Sequence, residues 1–250
     1  MKLLNKWPIY YKRDVVTHYC SGCGHGVVHR IIAELLEEMD LGKRAVCVNP
    51  AGCAVLAYKY FDIDMIESAH GRGTAIATGI KRVKPELFVF TYQGDGDLSA
   101  IGTAETIHSA NRGEQITVVF INNAVYGMTG GQMAPTTLLG QKTTTTPGGR
   151  DPKFDGYPLH ITDMIAQFPG VIYAERTAIN GPAGIQRTKK AIRTAFQVQV
   201  DGLGYSIIEV LSACPTNWKM STEDSFKWIN EVMVKEFVPG VLTDKRGGAA

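Results

Sequence analysis

The chain alternates short apolar runs with longer stretches in which apolar residues recur at helical spacing. The apolar runs lie at 45–48, 87–92, 116–122, 171–175 and 205–211, and each is short enough to be a buried strand. The helical patterns lie at 27–39, 73–83, 98–111 and 182–199. This alternation predicts an α/β fold, with a mostly parallel sheet and helices on both faces.

Length and charge limit the classes of protein to which the chain can belong. Its 250 residues can bury a full core, and because no linker divides them we expect a single domain over residues 1–250. The 26 Lys and Arg against 24 Asp and Glu give a net charge of +2, so the sequence predicts no nucleic-acid partner. The sequence shows no export signal and no membrane-length apolar run, so we expect a cytoplasmic protein without membrane contact.

A glycine-flanked acidic turn follows the predicted strand 87–92 and opens the next helical pattern. Such a turn offers free backbone N–H groups at a helix start, which attract phosphate oxygens. Asp95 and Asp97 would repel a phosphate unless a divalent cation lay between them, and Mg²⁺ suits hard oxygen ligands. Taken alone, this segment is also compatible with an ordinary turn, because Asp and Gly are common turn residues.

An asparagine pair, Asn122 and Asn123, ends the next predicted strand. Ligands of parallel sheets bind beyond the carboxyl ends of the strands, so Asn123 should lie beside Asp95 if the two strands are neighbours. An asparagine pair is equally at home in a turn. The two motifs together, each at a strand end, therefore favour a cation and phosphate site more than either does alone.

The five cysteines favour metal or redox chemistry, because their number is odd and the sequence shows no export signal. Cys20 and Cys23 form a CxxC motif, while Cys53 and Cys214 each follow a predicted strand. Four such thiolates suit a tetrahedral zinc and a 4Fe–4S cluster equally well. Cys47 lies inside an apolar run, which predicts a small buried side chain.

In their order and spacing these motifs resemble the beta subunits of 2-oxoacid:ferredoxin oxidoreductases, which are thiamine-diphosphate enzymes. The matching segments are YCSGCGHG at 19–26, Cys53, HGR at 70–72, GDGD at 94–97, INNAVYGMTGGQMAPTT at 121–137 and CPT at 214–216. The resemblance implies the thiamine-diphosphate-binding fold. The chain departs from it at Ser21, where proline is usual, and near Leu56 and Gly130, where some relatives carry lysines.

The resemblance also implies a set of site residues. Mg²⁺ would be held by Asp95, Asn123 and the carbonyl of Val125, and one 4Fe–4S cluster by Cys20, Cys23, Cys53 and Cys214. Contacts to thiamine diphosphate would come from Ala51, Gly52, Cys53, Ala54, His70, Gly94, Gly96, Asp97, Tyr126, Gly127 and Met128. No catalytic side chain is assigned, because the cofactor itself would carry the chemistry.

The function that the resemblance implies is the oxidative decarboxylation of a 2-oxoacid with coenzyme A, giving acyl-CoA, CO₂ and reduced ferredoxin. Such enzymes are oxygen-sensitive hetero-oligomers, and an alpha subunit, with or without gamma and delta subunits, would hold the pyrimidine end of the cofactor. The TGGQMAPTT segment favours 2-oxoglutarate or a branched-chain 2-oxoacid. Three alternatives are a pyruvate-specific member, a cluster-free thiamine lyase or synthase, and a zinc-stapled scaffold without catalysis.

Four further expectations concern residues around these motifs. His25 is expected near the cluster loop, and His29 is expected to face solvent or a partner. Glu105 is assigned a structural role, because related enzymes draw the glutamate that activates the cofactor from a partner subunit. The Gly-, Thr- and Pro-rich tract 127–152 is too long for an ordinary connection, which predicts an active-site loop or a partner-binding arm.

Overall fold

A computed structural model describes residues 7–247, and a seven-stranded sheet lies at its centre. The strands are β1 (Ala45–Pro50), β2 (Asp64–Ser68), β3 (Phe88–Gly94), β4 (Thr117–Asn122), β5 (Val125–Tyr126), β6 (Gln132–Met133), β7 (Val171–Ala178), β8 (Tyr205–Leu211) and β9 (Gly240–Asp244). Strands β5 and β6 form a separate antiparallel pair. The central sheet has the order β2-β1-β3-β4-β8-β7-β9, and only β9 runs antiparallel to its neighbour.

The mostly parallel sheet confirms the predicted fold class. All five predicted strands are present, and the run 205–211 has the predicted bounds. The two edge strands, β2 and β9, were missed because most of their residues are exposed or half-buried. An edge strand of mixed polarity lacks the continuous apolar run by which the buried strands were recognised.

The α-helices are α1 (His25–Glu38), α2 (Gly73–Val83), α3 (Thr103–Asn111), α4 (Pro152–Asp155), α5 (Ile161–Ile165), α6 (Pro182–Val200), α7 (Pro215–Trp218), α8 (Thr222–Trp228) and α9 (Val234–Glu236). Helix α2 has the predicted bounds, and α1 and α6 differ from prediction by one or two residues at an end. The pattern 98–111 proved to be a π-helical turn, Asp97–Ile101, followed by α3. The short helices after 214 were not predicted.

Two apolar layers cover the two faces of the sheet. On one face, α1 and α6 pack their apolar sides against strand residues such as Phe88 and Phe90. On the other, α2, α3 and α5 cover residues that include Val118 and Phe120. Burial of these side chains supplies the main favourable free energy of the fold. Cys47 belongs to the first layer and is fully buried, as predicted.

In residues 7–247, no helix combines the length and the apolarity that a bilayer crossing requires.

Candidate functional site

A cleft opens beyond the carboxyl ends of β1, β3 and β4, and its empty space, with the open mouth included, is about 650 Å³. Its lining contains every residue predicted to contact thiamine diphosphate, together with the three predicted magnesium ligands: Ala51, Gly52, Cys53, Ala54, His70, Gly94, Asp95, Gly96, Asp97, Asn123, Val125, Tyr126, Gly127 and Met128. His25 and Thr129 also line it and were not among those predictions. Both lie next to motif residues, which is the signal that could have identified them.

Asp95 carries a buried carboxylate with uncharged hydrogen-bond donors. The residue is 2% exposed, its Oδ1 accepts from the Gly96 N–H at 2.8 Å, and its Oδ2 accepts from the Thr136 hydroxyl at 2.7 Å. Burial raises the pKa of Asp95 to about 6, although the hydroxyl and nearby backbone N–H groups partly oppose the shift. A cation at this carboxylate would offset the cost of its burial.

The turn 122–125 lies beside Asp95, because β3 and β4 are neighbours and Gly94 pairs with Ile121. Asn123 is buried, and its Oδ1 accepts from the Val125 N–H at 3.2 Å. The cleft is therefore lined by a carboxylate, an amide and the backbone of Val125. This donor set consists of hard oxygens, which fits Mg²⁺.

Asp97 holds the turn that carries His70. Its Oδ1 accepts from the Gly71 N–H at 2.6 Å and lies 2.5 Å from His70 Nδ1, while its Oδ2 accepts from Gln93 Nε2 at 2.7 Å. Burial raises the pKa of Asp97, and these donors partly oppose the shift. Both oxygens are thus used within the chain, and Nε2 of His70 is the ring nitrogen left for a ligand in the cleft.

Two glycines are required by close approaches at this site. A β-carbon at Gly96 would lie 2.1 Å from the ring of Tyr126, whose hydroxyl donates to the Gly96 carbonyl at 3.2 Å. Gly71 has a φ of +78°, and a β-carbon there would meet the Gly102 nitrogen at 2.6 Å. Side chains at either position would push the turn 94–97 out of place.

Arg72 and Glu105 form an ion pair at 2.7 Å. Helix α3 brings Glu105 to Arg72, a pairing that the spacing of the two residues in the sequence does not indicate. The pairing gives Glu105 a structural contact, as expected.

The predicted cluster cysteines come from three parts of the chain that meet beside the cleft. A β-carbon at Gly127 would lie 3.3 Å from Cys53 Sγ and 3.6 Å from Cys214 Sγ, so these sulfur atoms are within about 7 Å of each other. The Cys23 N–H donates to the Cys20 carbonyl at 3.0 Å in a tight turn before α1.

The thiols are close enough to influence each other's ionisation. The pKa of Cys23 is raised to about 12, mainly by burial and in smaller part by the neighbouring Cys214, Cys53 and Cys20. Burial likewise raises the pKa of Cys53 to about 11, with Cys214 and Cys20 adding to the shift. Within the described chain, no three His, Cys, Asp or Glu side chains lie close enough together to hold one metal ion.

Comparison with known proteins identifies the family. Residues 50–210 match the thiamine pyrophosphate enzyme family, C-terminal TPP binding domain. The chain is 38% identical over 218 residues to the 2-oxoglutarate synthase subunit KorB of Archaeoglobus fulgidus, which covers 86% of this chain and 76% of that protein. This chain belongs to the beta subunits of the 2-oxoacid:ferredoxin oxidoreductases. The resemblance stated from the motifs is confirmed.

A second relative is the ketoisovalerate oxidoreductase subunit VorA of Methanothermobacter thermautotrophicus, at 50% identity over 221 residues. That match covers 88% of this beta subunit and 46% of VorA, so the chain spans about half the length of this relative. A 2-oxoglutarate:ferredoxin oxidoreductase from Magnetococcus marinus, solved with 2-oxoglutarate, coenzyme A and succinyl-CoA bound, has the same fold. Its TM-score is 0.80 at 24% identity, with 97% of this chain and 86% of that chain covered.

His29 of this beta subunit corrects one expectation, because it faces the interior rather than solvent or a partner. It is 0% exposed, neither ring nitrogen has a hydrogen-bond partner in the described chain, and burial lowers its pKa well below the usual value. His25 lies one helical turn earlier on the same inward face, and its Nδ1 is 2.6 Å from the Tyr92 hydroxyl. Burial lowers the pKa of His25 to about 4.

The tract 127–152 contacts the site directly, which favours the active-site loop over the partner-binding arm. Besides the Thr136 bond to Asp95, the Thr137 hydroxyl donates to the Ala124 carbonyl at 2.6 Å. Buried Arg150 fixes the tract by donating to the carbonyls of Pro135, Thr137 and Tyr157 at 2.8, 2.5 and 2.7 Å. Thr136 was missed from the sequence because its contact joins positions 41 residues apart.

Proposed function

We propose that this beta subunit works in a 2-oxoacid:ferredoxin oxidoreductase that converts a 2-oxoacid, coenzyme A and oxidised ferredoxin to acyl-CoA, CO₂ and reduced ferredoxin. One observation carries the proposal: the buried carboxylate of Asp95 and the thiol of Cys53 line the same cleft, and Cys214 lies close beside it. A cation-bound cofactor and an electron carrier would then be neighbours. Neither a cluster-free lyase nor a scaffold needs that arrangement.

The magnesium site would consist of Asp95, Asn123 and the carbonyl of Val125. Its support is the oxygen donor set together with the uncompensated charge of Asp95. The backbone N–H groups at the start of the helical turn, around Gly96, would bind the diphosphate. When bound, thiamine diphosphate supplies carbanion chemistry at the keto carbon of the substrate.

The side chains of the cleft would orient the cofactor and the substrate. With a proton on Nδ1, His70 would donate a hydrogen bond to Asp97, which would fix the ring and leave Nε2 to hold a polar group or a proton at the substrate. Tyr126 and Met128 would pack against the cofactor, and the wall formed by Ala51 and Ala54 would limit entry of water.

The cysteines would hold a 4Fe–4S cluster rather than zinc. Zinc bonds sulfur at about 2.3 Å in a tetrahedron, which draws its ligands to within about 4 Å of each other. A cluster holds its thiolates further apart, because irons and sulfides lie between them. The Sγ atoms of Cys53 and Cys214 lie within about 7 Å of each other around Gly127, which is compatible with that wider spacing. Reduced thiols are required for this role, which supports a cytoplasmic location.

A branched-chain 2-oxoacid is the substrate that we place first, with 2-oxoglutarate second. VorA, named for ketoisovalerate, is 50% identical to this chain, whereas KorB, named for 2-oxoglutarate, is 38% identical. The apolar side chains of Ala51, Ala54, Val125 and Met128 in the cleft suit an aliphatic tail. An alpha subunit would complete the pyrimidine end of the cofactor site, and ferredoxin would accept the electrons.

The test is to co-express the chain with its partner subunits and to purify the complex anaerobically. Iron and acid-labile sulfide should match one 4Fe–4S cluster on this chain. Viologen dye reduction should require both coenzyme A and a 2-oxoacid, with 2-oxoisovalerate faster than 2-oxoglutarate or pyruvate. Zinc in place of iron, or no 2-oxoacid-dependent reduction, would contradict the proposal, and a faster rate with pyruvate would overturn the substrate order.

A further inference from the structure

A buried ion pair lies directly behind the turn 122–125. Arg176 on β7 and Glu209 on β8 are paired residues of neighbouring strands, and they are 2% and 1% exposed. Arg176 Nε donates to Glu209 Oε2 at 2.8 Å. The same guanidinium donates to Asp163 on α5 and to the Val238 carbonyl, so it is held from several sides.

The second oxygen of Glu209 reaches the first asparagine of the pair that ends β4. Asn122 Nδ2 donates to Glu209 Oε1 at 2.7 Å, and Asn122 Oδ1 accepts from the Ala124 N–H at 3.1 Å. The oxygens of a carboxylate accept hydrogen bonds, so Glu209 binds the NH₂ group of the Asn122 amide rather than its oxygen. The amide oxygen is thereby directed at the turn.

The turn needs this support because of its backbone conformation. Ala124 has a φ of +58°, a left-handed conformation that is unfavourable for a residue with a β-carbon. The Asn122 oxygen holds the Ala124 N–H in that conformation. The Trp218 indole N–H, which donates to the Asn123 carbonyl at 3.0 Å, holds the neighbouring peptide. These contacts decide where Asn123 and the carbonyl of Val125 face.

We propose that Glu209, held in place by Arg176, is a positioning residue that acts through Asn122 to fix the turn 122–125 for cation binding. The inference rests on the magnesium site of the proposed function and deepens it. A buried ion pair contributes little net stability compared with apolar residues of the same size. Because the pair binds Asn122, its role is to fix the conformation of the turn 122–125.

Glu114 provides a matched control, because it is a buried, paired glutamate at the amino ends of the strands, away from the turn. It is 8% exposed and paired with Arg82 and Arg112, but it lies before β4 rather than after it. Removing the charge at either glutamate takes a carboxylate partner from at least one arginine, although Arg176 keeps Asp163, and it should lower the melting temperature. Only the change at Glu209 should alter the turn.

The experiment measures Mn²⁺ binding to the complex purified with its partner subunits, with thiamine diphosphate present, by electron paramagnetic resonance of free Mn²⁺ below the melting temperature of each variant. We expect Glu209→Gln to weaken Mn²⁺ binding about tenfold or more, and Glu114→Gln to leave it within about twofold of wild type. Equal affinity in Glu209→Gln and wild type would overturn the proposal. A wild-type complex that binds no Mn²⁺ would remove the proposed magnesium site, and this inference with it.

Asn122→Ala keeps the ion pair and removes only its link to the turn. This variant should also weaken Mn²⁺ binding about tenfold, and adding Glu209→Gln to it should cause no further loss beyond about twofold. Full additivity of the two losses would contradict action through Asn122. If Glu209→Gln fails to fold, unchanged Mn²⁺ affinity in Asn122→Ala alone would refute the role of the network.

Discussion

Two buried carboxylates have different surroundings: Glu114 lies before the amino end of β4, and Asp95 lies after the carboxyl end of β3. At Glu114 burial raises the pKa, but Arg82 and Arg112, at 2.6 and 2.7 Å, more than offset it, so the pKa is lowered overall. At Asp95 the donors are uncharged, and burial raises the pKa to about 6. The structure neutralises the carboxylate that serves the fold and leaves the one in the cleft without a counter-charge.

The cysteines repeat this contrast. Cys47 is enclosed by apolar side chains in the middle of a strand, whereas Cys53 and Cys214 lie past strand ends and close to Gly127. A side chain whose contacts within the chain satisfy it, such as Cys47, contributes to stability. An ionisable side chain that lacks a counter-charge, such as Asp95, indicates where an external group could bind.

The sharpest test of the contrast is Asp95→Ala. Removing the ionised ligand should weaken Mg²⁺-dependent binding of thiamine diphosphate about a thousandfold, equivalent to about 4 kcal/mol. Isothermal titration calorimetry of the anaerobic protein measures the affinity. Glu114→Gln, the control, should bind the cofactor as wild type does. Comparable losses in both variants would mean that Asp95 is no more a ligand than Glu114 is.

A cysteine pair tests the same contrast for iron. Cys214→Ser should lose most of the iron and sulfide per chain, because a cluster lacking one thiolate ligand is poorly held. Cys47→Ser should retain both, and only its stability should fall. Iron and sulfide analysis after anaerobic purification gives the ratio. Full iron content in Cys214→Ser would exclude it as a ligand.

The stability of the cofactor-free chain should respond in opposite directions at the two carboxylates. The pKa of Asp95 is raised from 3.8 to about 6, so the unfolded chain loses this proton first as pH rises, and stability falls across that window. Asp95→Asn should therefore stabilise the cofactor-free fold at pH 8 by up to about 3 kcal/mol. Glu114→Gln should cost about 1–2 kcal/mol, because it leaves partly exposed arginines unpaired.

Urea unfolding with a chelator present measures both changes. Destabilisation by Asp95→Asn at pH 8 would show that the carboxylate is already neutralised within the chain.

A further pH-dependent effect concerns His29, whose pKa is lowered well below 6.5. The unfolded chain takes up this proton as pH falls below 6.5, so the stability contributed by the neutral ring is lost in acid. Between pH 7.5 and pH 5 the free energy of unfolding should therefore fall by about 2 kcal/mol less in His29→Phe than in the wild type. Exposed His108 is the control, and His108→Gln should keep the wild-type pH slope in urea unfolding. An unchanged slope in His29→Phe would contradict the burial argument.

The sequence predicted what depends on local pattern. Strand β8 was recognised with its bounds because all its residues are buried, and Asp95 and Asn123 were placed together because strand ends in a parallel sheet share an edge. Thr136, the partner of Arg72 and the inward face of His29 were missed. Each depends on how distant segments pack, which residue spacing does not encode.

The guanidinium of Arg150 limits which residues can occupy position 150. It donates to carbonyls before and after it in the chain, among them those of Ala134, Pro135, Thr137, Asp155, Gly156 and Tyr157. A lysine ammonium has three donors and no planar fork, so even this conservative exchange would release part of the ring of carbonyls. Evolutionary drift should therefore be slower at this position than at the neighbouring threonines and glycines.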